Sequence, residues 1–189
     1  MKKQTAIYEK DGYTLRLARA EEADAYYEQN YHPLDVEVAR LTGSRTNFTR
    51  EEVTNFFKES VTSEECYLFL IIAPNGKLIG ESVVNEIDWE LRRANFRICI
   101  FHSADCGKGI GFWAVERTRD FAFDTLKLHR LELDVFSFNE RARRTYEKAG
   151  FRQEGILRDA VRTEDVYADD VLMAMLEDEW RRLYERKSL

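Results

Sequence analysis

Pro33 and Pro74 are the only prolines in 189 residues, and no glycine- and serine-rich stretch, repeat or low-complexity segment interrupts the chain. A flexible linker has no place to sit. At the usual ~100–200 residues per domain, residues 1–189 therefore read as one domain. Cysteine is scarce as well. Cys66, Cys99 and Cys106 are odd in number, without CxxC spacing or a neighbouring histidine cluster. That argues against a disulfide framework and a structural zinc, so no metal is expected. His32, His102 and His129 are scattered, and none is paired with Cys106 as a covalent nucleophile would require. The longest apolar run, Tyr67 to Ala73, falls far short of the ~18 residues that cross a membrane. Glu9 and Asp11 occupy positions that a signal peptide would keep apolar. A soluble, cytoplasmic protein with no membrane partner is expected.

What is present is a chain that is 44% apolar, enough for one well-filled core, with a formal net charge of −6. Nucleic-acid binders concentrate basic charge on one face, so no nucleic-acid partner is expected. A negative balance suits a cationic substrate, although it also simply keeps a small protein soluble.

Tyr13, Leu15 and Leu17 alternate with polar residues as in a half-buried strand, and this strand is expected to open the domain. Ala20 to Gln29 reads as helix, and Asn30 to Phe48 as an acceptor loop. Thr49 and Glu52 have capping-box spacing for a helix running to about Thr62. Tyr67–Ala73 and Leu78–Ile87 flank Pro74-Asn75-Gly76-Lys77 as a hairpin, and Asn95–Phe101 forms a further strand. Gly109–Leu126 shifts to helical spacing, with Phe112, Val115, Ala122 and Leu126 as its buried side. Leu131, Leu133 and Val135 alternate in a strand, and Asn139 caps a helix that stops at Gly150. Phe151–Val161 and Val166–Leu176 are two last strands before a short charged tail. The class is α+β, with a mixed, mostly antiparallel sheet flanked by helices and one parallel contact.

Cys106-Gly107-Lys108-Gly109-Ile110-Gly111 lies where a strand ends and a helix begins. Glycine there lets backbone N–H groups converge on an anion at the positive helix end, so a phosphate or pyrophosphate is the natural guest. A P-loop is excluded, because no Lys-Ser or Lys-Thr pair follows the last glycine. Gly109, Gly111 and Ala114 have dinucleotide-fingerprint spacing, with Glu132 and Asp134 at the ribose distance. That motif belongs near the start of a parallel sheet, whereas hairpin strands precede this one.

The turn also resembles the acetyl-CoA turn of the GNAT N-acyltransferases, [QR]-x-x-G-x-[GA], with Gly109 and Gly111 at its small positions. Leu133-Asp134-Val135, Asn139 and Tyr146-Glu147-Lys148-Ala149-Gly150-Phe151 resemble that family's strand, asparagine-capped helix and Y-E-K-x-G-F ending. Tyr167-Ala168-Asp169-Asp170 and Glu179-Trp180 further resemble its RimJ/RimL-like subgroup, extending the similarity from about Tyr13 to Trp180. The departure is Cys106, which stands where the family has Gln or Arg and removes a donor near the pyrophosphate. Lys108 is a candidate to compensate.

The resemblance implies an N-acetyltransferase that moves an acetyl group from acetyl-CoA to a primary amine. It places Tyr146 as the acid that protonates the leaving thiolate and Asp134 as the base, with Glu86 and Asp88 as weaker candidates or no dedicated base at all. Asn139, Ile100 and Phe101 fall near the pantetheine arm, residues 106–111 at the pyrophosphate, and Arg141 and Arg144 near the nucleotide phosphates. The implied acceptor is a protein N-terminus of the ribosomal-protein type, with a polyamine as the alternative. From another class, a silent acyl-CoA sensor would keep the turn and have no need of Tyr146. Oligomeric state is open, a homo-oligomer included.

Overall fold

The structure, a computed structural model, describes residues 6–163 and 165–185. The alternating segment Tyr13–Leu17 is a strand, but a shorter one, Ile7–Lys10, precedes it and pairs with it antiparallel. These are β1 and β2. Asp11 and Gly12 join them at φ 49° and 80°, the left-handed conformation that a two-residue hairpin turn demands. Four residues are too few to show alternation, although the Asp-Gly pair signals the turn.

The expected first helix is a 3₁₀ turn over Ala20–Glu22 followed by α1 (Ala23–Asn30). The stretch read as an acceptor loop contains α2 (Val36–Thr42), a correction with a local cause. Seven residues are two turns, too short for periodicity, yet Asp35 caps the start and Gly43 closes the end at φ 67°. α3 (Arg50–Thr62) starts with the Thr49/Glu52 capping box formed in both directions.

β3 (Tyr67–Ile72) and β4 (Leu78–Asp88) make the expected hairpin, followed by β5 (Arg93–Ile100). α4 (Ile110–Asp120) runs on into a widened turn at Phe121–Thr125, then come β6 (Arg130–Phe136) and α5 (Glu140–Ala149). Asn139 accepts from Ala142 N–H at 3.2 Å, and Gly150 stops α5 at φ 99°. β7 (Arg152–Thr163) and β8 (Val166–Leu176) complete one sheet in the order β1-β2-β3-β4-β5-β6-β8-β7. Every neighbouring pair is antiparallel except β5 and β6.

Both faces of the centre are covered, which is why β3 reads as an unbroken apolar run. Leu68 and Leu70 pack with Tyr26, Val53 and Phe57 from α1 and α3, whereas Phe69 and Ile71 pack with Trp113 and Phe121 on the opposite face. α4 is buried over more than one stripe. Val115 and Ala122 are inside as expected, while Phe112 and Leu126 are only half-buried; Trp113, Ala114 and Phe121 take that place. The widened turn shifts the register that a regular helix would have kept.

Residues 177–185, expected as a charged tail, form α6 (Glu177–Glu185), and residues 186–189 lie outside the described residues. Trp180 stacks on Phe123 at 5.7 Å and donates from Nε1 to Asp120 at 3.0 Å. Asp120 also holds the buried Arg119, whose Nη1 donates to the Ala149 carbonyl at 2.5 Å.

Gly80 in β4 is fixed by close approach: an added Cβ would lie 2.6 Å from the Cys99 carbonyl oxygen of β5. Backbone cannot swing aside as a side chain can. Gly80→Ala is expected to cost roughly 1–3 kcal/mol, measured as a lower urea midpoint at unchanged slope.

Candidate active site

β5 and β6 are hydrogen-bonded only over Arg93–Asn95 and Arg130–Glu132. Beyond that point β5 stays paired to β4 as far as Ile100, and β6 to β8 as far as Phe136, so the two strands part inside an intact sheet. A cavity of about 440 Å³ opens in the fork. Its walls are Asn95–Ile100 of β5, Asp134–Phe136 of β6, the turn Asp105–Gly111, the first turn of α4, and parts of α5 and α2.

The turn brings Cys106, Gly107, Lys108, Gly109, Ile110 and Gly111 together on the wall. Gly107 and Gly109 sit at φ 82° and 77°, and no atom lies within 4 Å of where a Cβ would project from either. Gly109 is the N-cap of α4 and has no side chain to satisfy the helix end. The N–H groups of Ile110, Gly111 and Phe112 therefore have no intrahelical partner. The first turn of α4 carries no acidic residue, whereas α1, α2, α3, α5 and α6 each carry at least one. An uncompensated positive end facing an open glycine cradle is built for an anion.

α2, hidden from the sequence reading, holds this turn in place. Asp35 Oδ1 accepts from Glu37 and Val38 N–H at 3.0 and 3.1 Å, while Oδ2 accepts from Ser103 N–H and Oγ, both at 2.8 Å. Four donors on one carboxylate hold its pKa down at about 2, with the Ser103 backbone bond the largest cause. At the far end of α2, Asn139 Nδ2 donates to the Leu41 carbonyl at 3.2 Å. Asn139 thus caps α5 and also clamps the cavity wall.

Tyr146 projects from α5 with its ring edge-on to Phe96 and Phe151, centroids 6.3 and 6.1 Å away. The residue is 7% exposed and lines the cavity. Its hydroxyl makes no hydrogen bond among the described residues. Burial first, then the Cys99 thiol and the Asp134 carboxylate, push its proton affinity well above that of an ordinary phenol. Asp134 is exposed on the β6 wall and has no ion pair among the described residues.

Of the sequence candidates, Ile100, the whole turn 106–111, Asn139, Asp134 and Tyr146 meet at this cavity, and Phe101 and Arg144 do not. Phe101 is fully buried in the other core and its N–H is taken by the Ile79 carbonyl at 2.9 Å. Arg144 points to solvent and pairs with Glu140 at 2.7 Å; Arg141 is the arginine of α5 on the wall. Glu86 and Asp88 lie at the bulged end of β4, away from the cavity. Sequence reasoning missed Arg97, a wall residue whose Nη1 donates to Glu81. Glu81 is 2% exposed, and its Oε2 also accepts from Tyr26 Oη at 2.7 Å. The signal was available, since a charge inside each of two strand-like runs is costly unless paired. Asp170 was missed as a half-buried acid: its Oδ1 is shut from solvent without a partner among the described residues, and partial burial and the Asp134 charge raise its pKa.

An anion-ready helix end beside a buried proton donor and an unpaired carboxylate suits transfer of a group from a phosphate-bearing carrier, so the molecule is classed as a transferase. The profile of the acetyltransferase (GNAT) domain matches residues 13–152. The probable N-acetyltransferase YjcK of Bacillus subtilis (strain 168) is 34% identical over 127 residues, 67% of this chain and 70% of that protein. The crystal structure of spermidine N-acetyltransferase from Vibrio cholerae with CoA and spermine superposes with a TM-score of 0.80 at 23% identity, over 90% of this chain and 99% of that one. The ribosomal-protein-S5-alanine acetyltransferase of Vibrio fischeri gives 0.77 at 23%, over 93% and 98%. The chain belongs to the GNAT acetyltransferase family: it is an N-acetyltransferase with acetyl-CoA as donor and an amine as acceptor. Among the described residues no group of His, Cys, Asp and Glu is placed to hold a metal, and no helix is long and apolar enough to cross a membrane.

Because Asp35 is held at about 2 when folded, against an ordinary value near 3.9, its contribution is fully present above ~4 and is lost as pH falls through about 2. Asp35→Asn is expected to weaken acetyl-CoA binding at pH 7 and to flatten the acid side of the melting-temperature profile. Isothermal titration and thermal scans from pH 2 to 7 check both.

Proposed function

We propose that this protein acetylates the α-amine of a peptide or protein N-terminus, as its resemblance to the RimJ/RimL-like subgroup implies, with the fork between β5 and β6 as the reaction site. Residues 1–189 act as one acetyltransferase domain in the cytoplasm. The turn 106–111 and the N–H groups opening α4 hold the pyrophosphate of acetyl-CoA. The free edge of β5 up to Ile100 offers backbone groups to the amides of its pantetheine arm. Asn139 supports that arm's far wall. Asp134 takes the proton as the amine attacks the thioester carbonyl, and Tyr146 Oη protonates the departing thiolate. Burial keeps the Tyr146 phenol protonated, so that its hydroxyl is present as a donor toward the thiolate as that charge forms.

The observation that carries the acceptor choice is the charge on the wall. Asp105 is shared between Lys77 and Lys108, both at 3.3 Å, which leaves Asp134 as the uncommitted carboxylate beside Arg97 and Arg141. One carboxylate suits one ammonium, and a polyamine would bring further positive charges that no second uncommitted carboxylate on the wall meets. The second reading, spermidine acetylation, is favoured by the likeness to the Vibrio cholerae enzyme.

Gly109→Asp, which adds a Cβ at positive φ and a negative charge at the helix end, is expected to raise the acetyl-CoA Kd at least tenfold by calorimetry. An unchanged Kd would move the phosphates elsewhere. The function itself is tested by CoA release with peptides, polyamines, amino acids and aminoglycosides, where N-terminal peptides are expected to give the highest kcat/KM. With the best acceptor, Tyr146→Phe should lower kcat by ~10²–10⁴-fold at nearly unchanged acetyl-CoA affinity. Retention of kcat within about threefold, well below that range, would remove Tyr146 from the acid role. A wild type that binds acetyl-CoA and acetylates nothing would favour the sensor.

A further inference from the structure

In the last stretch of parallel pairing Arg93 faces Arg130 and Asn95 faces Glu132. Alternation puts Arg97 and Asp134 next on the same face, one on each arm of the fork, where the ladder has just ended. They are of opposite charge, both line the cavity, and they do not pair with each other. Arg97 is instead anchored from behind by Glu81, whose side chain is 3% exposed and whose second oxygen is occupied by Tyr26. Through that anchor one edge of the guanidinium is fixed. Nε and Nη2 have no partner among the described residues, and neither is a buried, shut-off atom. A planar fork held at one edge and open at the other is preorganised to donate two hydrogen bonds to an oxygen acceptor.

We infer that Arg97 is a specificity-determining residue that binds the carbonyl or carboxylate oxygen adjacent to the acceptor's amine, while Asp134 faces the amine itself. The inference rests on the fork being the acceptor site, and it narrows the acceptor class to amines with an oxygen acceptor on the neighbouring carbon, as every peptide N-terminus has. A simple alkylamine satisfies Asp134 and leaves the Arg97 donors without a partner. A polyamine does the same and adds charges that no further free carboxylate on the wall meets. Glu81 and Tyr26 then act as positioning residues, since they touch Arg97 and not the acceptor.

The test compares wild type with Arg97→Lys, which keeps a cation for Glu81 and loses the fork. The acceptors are a tripeptide amide beginning with alanine, 2-aminobutane, in which ethyl replaces the carbonyl group, and spermidine. Taking each variant-to-wild-type ratio cancels the intrinsic difference in amine basicity. The expected result is a loss of about 10- to 100-fold in kcat/KM for the peptide, carried mainly by KM. The two plain amines should change by less than about threefold, and acetyl-CoA affinity and melting temperature should stay near wild type. Equal losses for all acceptors, or no loss for the peptide, would overturn the inference. If Arg97→Lys does not fold, wild type alone decides: a kcat/KM for the peptide no higher than for 2-aminobutane, or turnover of spermidine only, overturns it. Absence of CoA release with any amine would instead sink the reading of the fork as an acceptor site, a different and separable failure.

Discussion

β5 and β6 part after three residues of parallel pairing, and the cavity lies in the gap they leave. A sheet resists being split, because every unpaired N–H and C=O inside it lacks the water that would replace its lost partner. Here the split is tolerable because each strand keeps its other neighbour. β4 holds β5 through Ile100 and β8 holds β6 through Phe136, so only one edge of each strand is left open. Parallel pairing sits at this seam and nowhere else in the sheet. Two strands that run in the same direction and diverge present their edges to a single fork, which gives an extended substrate two walls of backbone.

Everything around the fork is arranged to keep it open and to fix what faces it. α4 cannot slide into the gap, since its start is fixed by left-handed Gly109 and its far end by the Arg119–Asp120–Trp180 cluster. α2 closes one side and is tied at both ends, to Ser103 through Asp35 and to Asn139 through the Leu41 carbonyl. Gly43 is tightly enclosed: a Cβ there would come within 2.7 Å of Phe136 Cζ, on the β6 arm of the fork. Tyr146 reaches the fork from the opposite face, its ring edge-on to the stacked Phe96 and Phe151. A proton donor and a carboxylate therefore approach one space from two faces, a geometry that a continuous sheet would forbid.

How much of this the sequence reveals follows from the length of each signal. Long periodic segments such as α3, β3, β4 and α5 are legible because caps and alternation agree over many residues. β1 and α2 are not, at four and seven residues, although Asp11-Gly12, Asp35 and Gly43 mark their turns and caps. α6 looks like a charged tail because its packing rests mainly on Trp180 and half-buried neighbours rather than on a full apolar stripe. At the site, the residues carried by motif, Gly109, Gly111, Asn139 and Tyr146, converge on the cavity. Arg144 does not, because the direction of a side chain on α5 depends on how the helix is rotated against β6, which spacing from Asn139 does not specify. Arg97 and Glu81 are each legible as a charge inside a strand-like run, but which charge answers which is set only once β4 and β5 are in register, with Glu81 opposite Cys99.

Cys106 is the position at which this chain departs from its family's motif, and the structure shows what that departure removes. Its sulfur turns back toward the His102 carbonyl at 3.7 Å, within the base of the turn and not toward the glycine cradle. Lys108, the candidate to stand in for the missing donor, is drawn to Asp105, as is Lys77. Two ammonium groups on one carboxylate still leave one net positive charge at the mouth of the turn. That charge is exposed and screened over roughly 8–10 Å at physiological salt, so it aids approach more than tight holding. The holding falls to the N–H groups of α4, whose positions are set by helix geometry and do not depend on the residue at 106.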